Sequence, residues 1–159
     1  MMEFMTPPEA EVIGSLKTAN PTGNFCFIEI PTVDVQRAIT FYRKVFGWAI
    51  NPVFNGVQGH ADNVKSMYCF NQGNILGCFS ELSDPNDMMT MGISPGTTKI
   101  PITFGVTVDD VDETSQKVVE CGGKVHRQKF AIPPGKFGDS ARYIDTEGNM
   151  IAVWTPPAM

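Results

Sequence analysis

No cluster of lysine or arginine occurs in the 159 residues, and no apolar run approaches the length of a membrane span. The first absence argues against nucleic acid and anionic membrane as partners. The second argues against a transmembrane anchor. No basic region leads into an apolar stretch at the N-terminus, so a secretory signal is not expected and a cytoplasmic location is. None of the four cysteines, Cys26, Cys69, Cys78 and Cys121, forms a CxxC pair. They read as buried free thiols of a reducing compartment. Histidine occurs only at His60, in a loop, and His126, in a strand with polar neighbours, and both are expected at the surface. Charged residues are 18%, hydrophobic residues 42% and the net charge −5, the balance of a soluble globular chain.

What is present is an internal repeat. A shift of 76 positions lays Phe27-Ile28-Glu29-Ile30 on Thr103-Phe104-Gly105-Val106, Asp34-Val35 on Asp110-Val111, and Gly47 on Gly123. A shift of 75 lays Gly73-Asn74-Ile75-Leu76-Gly77 on Gly148-Asn149-Met150-Ile151-Ala152. Residues 1–23, rich in proline and glycine, read as a weakly ordered tail. Residues 24–82 form the first unit, 83–99 a crossover loop and 100–159 the second unit. Phe25–Ile30 reads as a strand, buried on both faces because it is nearly all apolar, and Pro31 closes it. Asp34 caps a helix whose apolar residues recur every three or four positions up to Gly47. Strands follow near Trp48–Phe54, Asn63–Phe70 and Asn74–Ser80, broken at Asn55-Gly56 and Gln72-Gly73. The second unit repeats the plan with a strand at Ile102–Val108 and a helix capped by Asp110. Strands at Lys124–Phe130, Ser140–Ile144 and Asn149–Thr155 complete it. The loop from Pro133 to Gly138 is placed to fold over a cavity mouth.

Phe27-Ile-Glu-Ile-Pro31, then Asp34, Ala38, Phe41-Tyr42 and Phe46-Gly47-Trp48, resembles the first half of glyoxalase-like proteins. Val106-Thr-Val-Asp-Asp-Val111, Gly122-Gly-Lys-Val125, Asp145-Thr-Glu-Gly-Asn149 and Trp154 resemble the second half. The family is the vicinal oxygen chelate superfamily of glyoxalase I, extradiol dioxygenases and bleomycin-resistance proteins. The resemblance implies an α+β fold: tandem βαβββ units whose mixed sheets curve into a half-barrel around a cavity. It also implies a homodimer. In metal-dependent members, the first and last strands of each unit supply four His, Gln or Glu ligands to a divalent ion. Carried over by position, these places fall on Phe27, Gly77, Thr103 and Ala152, none of them a normal ligand, so no metal and no other cofactor is expected. A register difference of four would instead bring Glu81 to a ligand place.

Residues two apart on a strand share a face. Phe25, Phe27 and Glu29, then Thr103 and Thr107, then Gly77 and Phe79, and finally Met150, Ala152 and Trp154 would therefore line an apolar, aromatic cavity. Such a cavity suits a hydrophobic or aromatic small molecule. Glu29 among apolar neighbours is the candidate acid or base, its pKa expected to rise on burial. Arg142 and Tyr143 are candidates for orienting a carbonyl or anion, as is Tyr68 in the first unit. The function expected is a metal-independent isomerase, lyase or cyclase acting by acid–base chemistry on a hydrophobic carbonyl compound. The alternatives are a non-catalytic binder like bleomycin-resistance proteins, and a metal-dependent lyase or dioxygenase using other ligands.

Overall fold

The computed structural model describes residues 22–158 except 24, 60–61, 74, 90–93 and 134, and describes the backbone alone at 51–55 and 57. The first unit runs β1 (Phe27–Thr32), α1 (Val35–Phe46), β2 (Ile50–Gln58), β3 (Val64–Gln72) and β4 (Ile75–Leu82). After a 3-10 turn at Pro85–Asp87, the second runs β5 (Phe104–Thr107), α2 (Val111–Glu120), β6 (Lys124–Ala131), β7 (Asp139–Ile144) and β8 (Met150–Thr155). Each unit is βαβββ, with sheet orders β1-β4-β3-β2 and β5-β8-β7-β6. In both, the first strand lies parallel to the last and the others are antiparallel. The fold is α+β, with two mixed sheets.

Both helices start where the sequence supplies a side-chain acceptor for orphan amides. Asp34 accepts from the Arg37 amide at 3.0 Å, and Asp110 from the Glu113 amide at 2.9 Å. Helix α1 ends at Gly47, whose φ of 73° is a left-handed cap that glycine adopts without steric cost. Its buried residues, Val35, Ala38, Ile39, Phe41, Tyr42 and Val45, keep helical spacing and face the sheets. One continuous core joins them to Ile30, Phe70 and Phe79 of the first sheet and to Ala141, Tyr143, Ile151 and Val153 of the second. Tyr42 sits at its centre, stacked on Trp48 at 4.9 Å between ring centroids. Large buried rings carry much of the apolar area that such a core removes from water.

One turn fastens the second unit to the first. Between β7 and β8, Glu147 accepts from the amides of Val33 (3.0 Å) and Asp34 (2.8 Å) and from Arg37 Nε (2.7 Å). A carboxylate suits the amide-rich start of α1. Asn149 Nδ2 donates to the Pro31 carbonyl at 2.9 Å, and the Tyr42 hydroxyl to Asp145 Oδ2 at 2.7 Å. Burial pushes the Tyr42 phenol well above its ordinary range, and the neighbouring Asp145 adds to the shift. Burial also raises the Asp145 carboxyl, against the hydrogen bonds from Tyr42, Asn149 and Glu147 that favour its charged form.

The strands and cysteines depart from the sequence reading in several places. β1 does not stop at Pro31 but continues to Thr32. It is an edge strand, where a missing N–H is tolerated. Its burial alternates instead of covering both faces, and Phe27 is 42% exposed. Asn55-Gly56 does not break the chain into two strands. Gly56, at φ 70°, is the extra residue of a bulge within β2. Cys69 and Cys78 are not free thiols: they stand opposite each other on β3 and β4 and form a disulfide, while Cys26 is free and exposed. Met88 packs with Val64 and Leu82 in a small second core, and Met89 is exposed. Residues 1–21 and His60 lie outside the described residues.

Candidate ligand-binding face

The helices cover one face of each sheet, so a site has to be sought on the other. Paired residues of neighbouring strands point to the same side. In the first sheet Ile30 pairs with Phe79, and Phe79 with Tyr68; this row lies against α1, where Tyr42 meets the Phe79 ring at 5.1 Å. The alternate row, Glu29–Cys78–Cys69, faces away from the helix. So do Phe27, Leu76 and Ser80. Ser80 Oγ donates to Glu29 Oε1 at 2.5 Å, a short bond typical of a charged acceptor.

This register corrects part of the expected cavity. Gly77 and Phe79 lie on the helix face, opposite to Phe27 and Glu29. Ile28 pairs with Gly77 in the first unit, whereas Phe104 pairs with Ile151 in the second. The structural counterpart of Ala152 is therefore Cys78, one residue beyond the sequence match. One residue of slip in a strand exchanges its two faces. Tyr68 goes with Phe79 to the helix side. Phe25, 91% exposed, precedes β1 and encloses nothing in the described chain; Glu29 is exposed, not wrapped in hydrocarbon. Among the described residues no apolar surround encloses Glu29.

In the second sheet the row Gly105–Ala152–Arg142 faces away from α2, flanked by Thr107, Trp154 and Ser140. Arg142 is half-buried, and Trp154 donates its indole N–H to the Phe137 carbonyl at 2.7 Å. That bond ties the loop before β7 to the edge of this face. Met150 shares the row's parity but is buried beside Ile144. Thr103 lies just before β5, its hydroxyl on the Pro101 carbonyl at 3.0 Å. Tyr143 points the other way. It is fully buried against α2, its hydroxyl 2.6 Å from Ser115 Oγ, and burial raises its pKa. Arg142 and Tyr143 are neighbours in β7, so only one of them reaches the open face.

The positions where metal-dependent glyoxalase-like proteins hold their ion are here Phe27, Cys78, Thr103 and Ala152. A phenyl ring, a disulfide sulfur, one hydroxyl and a methyl group do not make a divalent site. Glu81 pairs with Thr32 and Ser66, on the side away from Phe27, and accepts from Ser66 Oγ at 3.0 Å. Among the described residues no three His, Cys, Asp or Glu side chains come together. A separate depression of about 450 Å³ lies between the helices, bounded by Arg37, Thr40, Lys44, Glu120 and Cys121. It is remote in the fold from the open sheet faces.

Ser80 and Arg127 escaped the sequence reading. Ser80 was accessible to it, since it follows the strand alternation from Cys78. Arg127 was not, because an irregularity in β6 decides its face.

This arrangement defines a family. The chain belongs to the Glyoxalase/Bleomycin resistance protein/Dioxygenase superfamily, whose family model matches residues 24–153. It is 30% identical over 140 residues to a glyoxylase-like domain-containing protein of Didymella fabae, covering 85% of this chain and 95% of that one. A longer relative from Mycobacterium bovis is 31% identical over 130 residues, and this chain spans 44% of its length. Among solved structures, TnmS3, an antibiotic binding protein from Streptomyces sp. CB03234, shares the fold with a TM-score of 0.57. It has 16% identity, and the match covers 87% of this chain and 99% of that one.

Proposed function

We propose that the protein is a metal-independent glyoxalase-like enzyme that takes a hydrophobic carbonyl-containing small molecule on the open sheet faces. It acts there by acid–base chemistry, as an isomerase, lyase or cyclase. The observation that carries this reading is the Glu29–Ser80 pair. It puts a hydrogen-bonded carboxylate on the face where related enzymes hold a metal, while the four ligand places offer no donor set. Glu29 takes a proton from the carbon next to the carbonyl, and Ser80 holds the carboxylate in place. Arg142 stabilises the oxygen as charge develops on it, with Thr103 and Thr107 at the margin. Phe27, Ala152 and Trp154 supply apolar contact. Tyr143, Tyr68, Gly77 and Phe79 belong to the core side and take no part.

Proton abstraction beside a carbonyl exchanges that proton with solvent. Phenylacetone in D₂O, followed by NMR, is expected to gain deuterium faster with wild-type protein than in buffer. Glu29→Gln should bind phenylacetone normally and lose the acceleration. Binding without acceleration in wild type would instead favour a sequestering protein, a reading supported by the antibiotic binding protein TnmS3 of the same fold. A homodimer, and a hydrophobic or aromatic ligand as partner, form part of this proposal.

A further inference from the structure

We infer that Arg127 and Arg142 form a binding site for the carboxylate of a hydrophobic organic anion. This names the substrate class of the face described above and rests on that reading.

The argument starts in the register of β6 and β7. Val125 pairs with Tyr143, and the next pair is Arg127 with Arg142. His126 is the extra residue of a bulge. Regular pairing would set Arg127 opposite Ala141, in the fully buried row against α2. The bulge instead turns it onto the open face beside Arg142. A second irregularity, before Phe130, brings that ring onto the same side opposite Ser140. The Arg127 guanidinium lies over the Phe130 ring at 3.6 Å.

Like charges opposite one another on neighbouring strands repel. Neither arginine has a carboxylate partner among the described residues. The ion pairs of this sheet go to Lys129, with Asp112 at 2.8 Å and Asp139 at 3.9 Å. The chain carries a net charge of −5, so two unneutralised cations side by side are a local feature and not a consequence of overall charge.

The same row continues into open space. From Arg142 it crosses to Ala152 and Gly105, and a Cβ built on Gly105 would meet nothing within 4 Å. Trp154, pinned through its indole N–H, walls one side. The row thus offers two planar donor forks at one end and a flat apolar floor at the other. A carboxylate matches the forks in pairs of parallel hydrogen bonds. A flat hydrocarbon body fits the floor.

The test uses the full chain with 2-naphthoate and its neutral isostere 2-naphthamide, followed by calorimetry and by tryptophan fluorescence. Naphthoate is expected to bind one per chain, and Arg127→Gln and Arg142→Gln should each weaken it at least tenfold. Arg142→Lys should fall between, since it keeps the charge and loses the fork. Naphthamide affinity should stay unchanged across all variants, which also shows that the floor is intact. Equal binding of the two probes, insensitive to both arginines, overturns the inference and leaves the small-molecule reading standing. Failure of both probes to bind wild type overturns it as well, while deuterium exchange at phenylacetone judges the enzyme reading independently. Displacement of naphthoate by millimolar phosphate, with no contribution from the ring, overturns the carboxylate assignment.

Discussion

The two units share one topology and differ in what they put on the open face. In the first, a carboxylate, a hydroxyl and a disulfide lie in a row beside Phe27. In the second, two arginines adjoin residues with almost no side chain. The register between first and last strands differs by two residues between the units, which keeps the same alternate positions on the open face. Repetition of a backbone plan therefore does not repeat a site; the two copies put different side chains at equivalent open positions. The acidic and the basic halves of the proposed chemistry come from different copies of the repeat.

The largest effect should come from separating the units. Glu147 is fully buried at its side chain and serves two amides and Arg37 across the boundary. Glu147→Ala leaves those donors unsatisfied and should cost about 3 kcal/mol, read by urea denaturation. The disulfide is particular to the first unit. Replacing Cys69 and Cys78 with serine, which opens a nine-residue span, should cost about 2–3 kcal/mol, and reduction of wild type should match it.

A pair of glycine substitutions tests the register directly. A Cβ at Gly77 would run into the Phe70 ring, so Gly77→Ala should destabilise by about 1–3 kcal/mol. Gly105→Ala faces open space and should leave stability within about 0.5 kcal/mol. Equal tolerance at both would place Gly77 on the open face and undo the comparison.

The smallest effect is a slope. Tyr42 has its folded pKa raised above the unfolded one, so its contribution is full below the unfolded value and is lost as pH rises toward the folded value. Above pH of about 10, stability should fall by up to about 1.4 kcal/mol per pH unit from this group. Tyr42→Phe should lack that part of the slope.

Much of the fold was legible because its signals are local. Asp34 and Asp110 cap helices, Gly47 ends one, and the helical spacing of Val35, Ala38, Ile39 and Tyr42 marks a buried stripe. The site was less legible because it depends on pairing. The offset matching Gly73–Gly77 to Gly148–Ala152 is correct as sequence and one residue short as structure. Glycine 56 reads equally well as a turn or a bulge, and only the partner strand decides. The Cys69–Cys78 pairing and the face of Arg127 are likewise set by a neighbouring strand, which no spacing along one chain reveals. Glu29 and Arg142 stand on open faces. Tyr143 and Phe79 stand on the covered ones.

The most direct test is native mass spectrometry of untagged protein purified without chelators. The account predicts a chain mass carrying no stoichiometric divalent ion, with any retained adduct an organic acid or carbonyl compound. A stoichiometric metal that EDTA removes together with activity would contradict it.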